Sequence, residues 1–571
     1  MVNNMKLEDM SNELFLCIWD QLLMVDVIYS FSNLNRRIDD MLFEFCGLYK
    51  ELDLRYCSLS IFRYFSHQIV MKHEWRLNLT VLKIGTRYRC SQMTLLADEV
   101  IKFFVKNSFI EQNKQYNNSS RTLFHMITSL KKKNTKSIFP QLNTLIVSQN
   151  TTMNGNCRDI FLYAIAYGSN LRTLKWITCS FQTHHSKSFF DWLFQCSINL
   201  NKFQFENPTS ENGDYIEAKD DLDEHLPKTI NHSIELHTLK FRILKIKGRG
   251  CYKIENLILR FVQSLENLSI SMYHRCDNEP HLNYNGYYLS ILCEKLKHLR
   301  SLHFAIQIQL FEKADRNIIN HFTKTFSTPF WLNGPFGYKR VCVDFEQTYG
   351  LIQMFSLPYT FNDITLIHSI DLINIQFNTD LEENKRSQSL TQELETLWSG
   401  MDRLFLRFDK NQILSSLFIQ ALQCPSTQNK TLVFSQKRGI ISQNIANQIQ
   451  LTHFNVLELG GSIDTNINYN LEDRFPQLKC LRLMSCKNIS SSWQNIDQWI
   501  SFILTHINEH QLTCVRFDFI ENENKITEMN ICNQMIRILQ SSWIIDIHQI
   551  VQDNHIALWI DRRKKYFSSI K

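Results

Sequence analysis

The feature that most constrains this chain is a motif, L-x-x-L-x-apolar, that returns along most of its length. The clearest copies are Leu142-Asn143-Thr144-Leu145-Ile146-Val147, then Leu171 with Leu174 and Trp176, and Leu200 with Phe203 and Phe205. They continue as Leu236, Leu239 and Phe241, then Leu265, Leu268 and Ile270, then Leu299, Leu302 and Phe304. After a less regular stretch the motif resumes at Val456-Leu457-Glu458-Leu459, at Leu478 with Leu481 and Leu483, and at Leu512 with Val515 and Phe517. At the second apolar position, Leu145, Leu174 and Phe203 stand 29 residues apart, as do Leu239 and Leu268. The step from Phe203 to Leu239 is 36 residues because a polar loop, Asn207 to His232, intervenes. Apolar alternation over a few residues predicts a strand. The segments Gly155 to Tyr167, Lys187 to Cys196, Tyr252 to Val262 and Ser490 to Ile507 are long enough to be helices between strands. Strand and helix alternating in one sense predict the α/β class, with parallel strands backed by helices.

Stacked strand-and-helix units at a period in the twenties resemble leucine-rich repeats, in which each unit buries its apolar face only against its neighbours. A doubly wound sheet would alternate in the same way, but the near-constant 29-residue step favours repeats. Fainter copies at Tyr49 to Leu54 and Leu79 to Ile84 extend the pattern toward the N-terminus. Composition agrees: hydrophobic residues make up 44% of 571, with 40 Phe, while 15 Gly and 9 Pro leave little for flexible linkers. One continuous repeat body over 46–571 is expected, irregular around 336–434. There, strand-like Arg340 to Phe345 and Arg403 to Phe408 flank a charged loop, Thr379 to Gln392. Near the end, Trp543 to Ile560 reads as a β-hairpin closing the last repeat.

Ahead of this body, residues 7–42 read LEDMSNELFLCIWDQLLMVDVIYSFSNLNRRIDDML and predict three short helices. Ser11 or Asn12 can cap the first, with Glu13 in its first turn, and Leu14, Ile18 and Leu22, beside Phe15 and Trp19, give it one wide apolar face. Asp26 is an N-cap candidate for a second helix over Val27 to Phe31. Ser32 or Asn33 is one for a third over Leu34 to Phe45, with Leu34, Ile38, Met41, Leu42 and Phe45 on one side. Helices this short do not bury all those faces among themselves, so some apolar surface must rest on the body or on another chain.

At these residues the stretch resembles an F-box, the module by which substrate receptors dock onto the Skp adaptor of cullin-RING ubiquitin ligases. The family pattern is an apolar residue and Pro, x-E-L-L-x-x-I-F-x-x-L, an Asp-Leu pair, and a Val-Cys-Arg-Arg-like end. The matching residues are Met10 and Ser11, Glu13-Leu14-Phe15, Ile18-Trp19, Leu22, Asp26-Val27 and Leu34-Asn35-Arg36-Arg37. Ser11 stands where Pro is usual, and Trp19 where Phe is commoner. The resemblance covers residues 1–45. It implies a non-catalytic subunit of a Skp-cullin-F-box ligase that binds the adaptor through Leu7, Met10, Leu14, Phe15, Ile18, Trp19 and Leu22, with Asp26 and Leu34 shaping the module, and that holds a target protein on the repeats. The alternative is a repeat scaffold unrelated to ubiquitin, its first helices serving as a cap.

Other classes find little support. A net charge of +6 over this length is small, and the basic clusters Lys131-Lys132-Lys133 and Arg562-Arg563-Lys564-Lys565 read as solvated turn and tail charge, so nucleic acid is not implied. Neither a secretory signal nor a membrane span is legible. The 16 cysteines are dispersed without a C-x-x-C, which suggests a reducing compartment, the cytoplasm or the nucleus. No phosphate loop, dinucleotide turn or G-x-S-x-G is present, so neither catalysis nor a cofactor is expected. His506-Ile507-Asn508-Glu509-His510 fits H-x-x-E-H, but it closes a covering helix without an identifiable third ligand and reads as exposed polar surface, as does the His184-His185 pair. The acidic stretch Glu217 to Glu224 reads as a solvated insertion.

Overall fold

A computed structural model describes residues 9–107 and 234–366 with short breaks, the segments 138–149, 170–178 and 199–206, and beyond 366 little more than the strands named below. Packing divides the chain into two compact units, 1–204 with 227–235 and 205–226 with 236–571.

The first unit opens with α1 (Asn12–Trp19), α2 (Met24–Phe31) and α3 (Arg36–Glu44), followed by β1 (Glu51–Asp53), α4 (Leu59–Met71), α5 (His73–Asn78), β2 (Val81–Ile84), α6 (Gln92–Asn107), β3 (Thr144–Gln149) and β4 (Thr173–Thr178). β5 (Lys202–Glu206) begins in this unit. β1, β2, β3 and β4 are parallel neighbours, in a register that sets Leu52 beside Leu82, Leu82 beside Leu145 and Leu145 beside Leu174. All four leucines are buried. The repeated second apolar position is therefore a rung of side chains stacked across the sheet. Each contributes about 1.5–3 kcal/mol by leaving water.

The strands also begin alike. The carbonyl of Lys50 accepts from the N–H groups of both Thr80 and Val81, that of Thr80 from Asn143 and Thr144, and that of Asn143 from Arg172 and Thr173. The Arg172 carbonyl takes Asn201 and Lys202 in the same way. In the second unit His237 does so for Glu266 and Asn267, and Glu266 for Arg300 and Ser301. The carbonyl of the residue just before each strand thus satisfies two backbone donors of the next.

The second unit continues with β6 (Thr238–Lys247), α7 (Gly250–Leu259), β7 (Asn267–Arg275), α8 (Gly286–Lys295) and β8 (Ser301–Gln309). β6, β7 and β8 are parallel, with Leu239, Leu268 and Leu302 in one buried rung. α7 buries Ile254, Leu257 and Ile258, close to the expected helix from Tyr252 to Val262. α8 buries Leu289, Leu292 and Cys293. Burial, then the charge of Glu294, pushes the Cys293 thiol up to about 12, so it packs as a small hydrophobe.

Next come α9 (Arg316–Thr325), α10 (Pro329–Asn333), β9 (Val341–Glu346), β10 (Leu351–Ser356), β11 (Asp363–Leu366) and β12 (Gln376–Phe377). The parallel run stops at β8, which pairs antiparallel with β10; β10 pairs antiparallel with β9, and β9 with β12. This reversal is the structural meaning of the irregular region. A second sheet starts at β11 and runs parallel through β13 (Arg403–Phe408), β14 (Lys430–Gln436), β15 (Phe454–Gly460), β16 (Cys480–Met484) and β17 (Cys514–Asp518). Its register aligns Ile364, Leu404, Leu432, Leu457, Leu481 and Val515. The sheet ends in the hairpin of β18 (Ile545–Gln552) and β19 (His555–Arg562), with β19 antiparallel to β17, as the sequence predicted. The covering segments 155–167, 187–196 and 490–507 lie outside the described residues.

One buried amide ties β1, β2 and α6 together. Gln92 Oε1 accepts from the Gly85 N–H at 2.7 Å, and its Nε2 donates to the Leu54 carbonyl at 2.8 Å. Gly85 has a φ of 71°, which lets the backbone turn its N–H onto that amide. Gln92→Leu leaves both backbone groups buried without this partner. A loss of about 2 kcal/mol is expected, read as a lower urea midpoint.

A second tie joins α4 and α6, where Glu99 accepts from His67 at 3.1 Å and from Lys102 at 2.6 Å. Burial works to raise the Glu99 pKa, but the hydrogen bonds and charge of Lys102 and His67 outweigh it and hold the carboxyl below its ordinary value. A depressed carboxylate contributes stability above its unfolded pKa and loses it as pH falls through the folded one. Glu99→Gln should therefore lower the melting temperature at pH 7, by the equivalent of about 1 kcal/mol or less for a partly screened pair. The gap to the parent chain should close on acidification through pH 4.

Candidate docking surface on the first three helices

α1 begins where the sequence placed it. Ser11 has extended backbone, and its Oγ accepts from the Leu14 N–H at 3.4 Å. Glu13 follows in the first turn, its carboxyl held below the usual range by a backbone hydrogen bond and by Ser11. The helix carries two apolar faces. The inner one is aromatic: Phe15 and Trp19 are 0% and 5% exposed, their centroids 5.8 Å apart, and Phe31 of α2 meets them edge-on at 5.9 and 5.6 Å. The outer one is aliphatic and open: Leu14 is 49%, Ile18 38% and Leu22 44% exposed. Leu22 lies beyond the helix, but its N–H bonds the Trp19 carbonyl at 3.0 Å, so the turn keeps it in line with Ile18.

α2 is the support. Val25, Val27 and Ile28 are buried, and Tyr29 meets Tyr64 of α4 edge-on at 5.5 Å while Ser32 Oγ lies 3.1 Å from the Tyr64 hydroxyl. The apolar surface that three short helices leave over thus rests in part on the body, as expected. Asp26 is corrected as a cap: the helix starts at Met24, and Asp26 sits in its first turn, where a carboxylate still favours the helix dipole.

The start of α3 is corrected too. Its cap is Asn35, whose Oδ1 accepts from the Ile38 N–H at 2.9 Å, rather than Ser32 or Asn33. Asn33 instead takes a left-handed φ of 61°, tolerated best by Asn after Gly, and its N–H bonds Asp39 at 2.8 Å. Leu34 is therefore a turn residue, 46% exposed, and not a helical one. Ile38, Met41 and Leu42 are buried as predicted. Arg37 Nη2 donates to the Met10 carbonyl at 2.7 Å, and its guanidinium lies 5.7 Å from the Phe15 centroid, which fastens the start of α3 to the start of α1. Leu14 and Leu34, each within three residues of that junction, flank it.

Of the residues expected to face an adaptor, Leu14, Ile18, Leu22 and Leu34 are exposed, Met10 is partly so, and Leu7 lies outside the described residues. Phe15 and Trp19 are corrected: they form the interior that holds the outer stripe in place. Sequence reasoning missed Phe43, 47% exposed on α3. Its signal was an apolar residue off the Ile38, Met41 and Leu42 stripe, in line with exposed Arg36 and Asp40.

Among the described residues no group of three His, Cys, Asp or Glu is placed to hold a metal ion, and no helix is long and apolar enough to cross a membrane. His506 to His510, His184-His185, Glu217 to Glu224 and Lys131 to Lys133 lie outside the described residues. Among the described residues Ser301 Oγ lies 3.1 Å from His303 Nε2. The other ring nitrogen lies 3.5 Å from Lys339 Nζ, whose pKa burial lowers to about 8. A cation there disfavours the imidazolium that a general base must become, so the pair does not make a serine nucleophile. No known family model matches the sequence, and no curated protein matches it.

Proposed function

We propose that this chain is a substrate receptor of a Skp-cullin-F-box ubiquitin ligase. In this reading the three N-terminal helices dock on a Skp-type adaptor and the strand-and-helix body, a leucine-rich-repeat-like solenoid, holds a target protein. The receptor performs no chemistry; it raises the target's effective concentration at the ligase. The observation that carries the reading is the two-faced α1. Its aromatic side is already packed, so the stripe of Leu14, Ile18 and Leu22 is surplus to the fold, and its three residues stand at three of the apolar positions of the F-box pattern. Exposed aliphatic residues aligned on one helix, beside a polar turn, suit a helical partner.

The test is co-elution of the purified full chain with a Skp adaptor on size exclusion, beside a chain carrying Leu14→Asp. Deleting residues 1–45 is the poorer control, because it would strip Tyr29 from Tyr64 and expose the core. Capture by the parent chain alone is the expected result. A folded chain that ignores the adaptor would instead be the repeat scaffold unrelated to ubiquitin.

A further inference from the structure

In the first unit the Asp53 carboxylate is held by Arg55, and that of Glu99 by His67 and Lys102. Arg76 of α5 is different. Its guanidinium lies 4.5 Å from the centroid of Phe103 on α6, and its Nε–H is buried without an acceptor. Burial lowers its pKa and no neighbouring charge offsets it, so among the described residues it meets no carboxylate. Glu99, one turn before Phe103 on α6, is already taken, and the charges acting on Asp98 are those of Lys102 and Glu99. A cation held this way costs the fold free energy, because an N–H is desolvated and unmatched. A methionine would cover Phe103 as well, so packing alone does not account for the charge. The unmatched buried atom is Nε alone and the side chain is otherwise partly exposed, which leaves its Nη groups for a ligand.

Two further cations stand beside it. Lys72 and His73 are exposed, four and three residues before Arg76, the spacings at which side chains of one helix meet. The Arg76 N–H bonds the Lys72 carbonyl at 3.2 Å, and the Lys72 ammonium lies 6.0 Å from the centroid of buried Trp75. Among the described residues neither Lys72 nor His73 makes an ion pair. Glu74 is two residues from both Lys72 and Arg76, which is not a spacing that brings side chains together. The surrounding sequence is basic: residues 72–136 hold thirteen Lys and Arg against four Asp and Glu, a surplus larger than the +6 of the whole chain. Such a surplus draws anionic partners. The rings beside these cations are not offered to a nucleobase, since Trp75 is buried and Phe103 carries Arg76 on its face. Leu77, next to Arg76 and 38% exposed, suits an aliphatic side chain.

We infer that α5 binds an acidic peptide of the target, one carboxylate on the Arg76 guanidinium, a second on Lys72 and His73, and an aliphatic side chain against Leu77. Residues one helical turn apart have Cβ atoms ~5–6 Å apart, and alternate residues of an extended peptide lie ~6.6 Å apart on one side. Carboxylates at positions i and i+2 therefore reach both cations. The fork of Arg76 takes its carboxylate by two parallel hydrogen bonds, which an ammonium does not offer. The inference rests on the receptor reading only in making this peptide part of a ubiquitination target.

The experiment uses the full chain and fluorescein-labelled octapeptides that carry glutamate at two positions two apart, leucine after the second, and Gly, Ser or Ala elsewhere. A control set replaces both glutamates by glutamine. Fluorescence anisotropy should show the glutamate set binding roughly tenfold tighter, a gap that shrinks with added salt. Arg76→Met should abolish the gap and leave the melting temperature unchanged or higher, because its aliphatic stem still covers Phe103 and no unmatched N–H remains. Lys72→Gln with His73→Gln, both at exposed positions, should narrow the gap in a chain of unaltered stability. Equal binding of the two sets, no binding of either, or a gap that survives in Arg76→Met overturns the inference. So does a single-stranded oligouridylate that binds the parent chain more tightly than the glutamate set, since the surface would then serve nucleic acid. Adaptor capture is read separately. Peptide discrimination without adaptor capture sinks the receptor reading and leaves this surface standing, and the reverse result does the opposite.

Discussion

Leu14→Asp abolishes adaptor capture and leaves the chain folded: that is the outcome expected if the outer stripe of α1 is the docking surface. Leu14 is half exposed, so in the free chain an aspartate there stays hydrated and costs the fold little. In the complex the same carboxylate is driven against apolar atoms without a partner. Truncating a central anchor of such an interface costs ~2 kcal/mol, about thirtyfold in affinity, and a buried unpaired charge costs more. Size exclusion reads the capture and circular dichroism the fold. Phe15→Ala makes the contrast, because Phe15 is fully buried between Trp19 and Phe31. Its loss should destabilise the helices by about 3–5 kcal/mol, and any effect on capture would come with a lower melting temperature. If Leu14→Asp still captures the adaptor, the stripe is not the docking surface.

How much of this was legible in the sequence differs from element to element. The rung was fully legible, because a buried parallel strand needs apolar side chains at fixed parity, and Leu145, Leu174, Leu239 and Leu268 keep it. The double-acceptor carbonyls ahead of each strand were not. Lys50, Asn143, Arg172 and His237 share no side-chain chemistry, since the bond is made by the backbone. Helix periodicity marked the apolar residues of α1 but not their division into two faces. Leu14 and Phe15 are adjacent, and only the placement of Phe31 decides which one is inside. The start of α3 was misread because Ser32, Asn33 and Asn35 are all good caps, and the left-handed turn at Asn33 selects the last of them. Trp19 carries a cost that periodicity does not reveal. Its indole N–H is buried with no hydrogen-bond partner, a penalty that a phenylalanine would not bear. The covering of Lys240 was invisible for another reason: the residue against it, Phe361, arrives more than a hundred residues later.

The rung itself yields the largest effect on stability. Leu268 is fully buried, and its neighbours in register, Leu239 and Leu302, are fixed by hydrogen-bonded strands on either side. Those strands are held in place by the ladder, so a void left at Leu268 has little means of closing. Leu268→Ala should therefore fall in the upper part of the usual range for buried leucine, about 3–5 kcal/mol, seen as a large fall in the urea midpoint followed by tryptophan fluorescence. Ser269→Ala, one residue on and on the opposite side of the strand, should stay within about 0.5 kcal/mol. Leu268→Met should cost less than about 1.5 kcal/mol, because the rung asks for apolar volume rather than for leucine: Phe203 and Val515 fill the same motif position in other repeats. An alanine at 268 that cost no more than an alanine at 269 would mean that the stacked leucines are not what holds this sheet to its core.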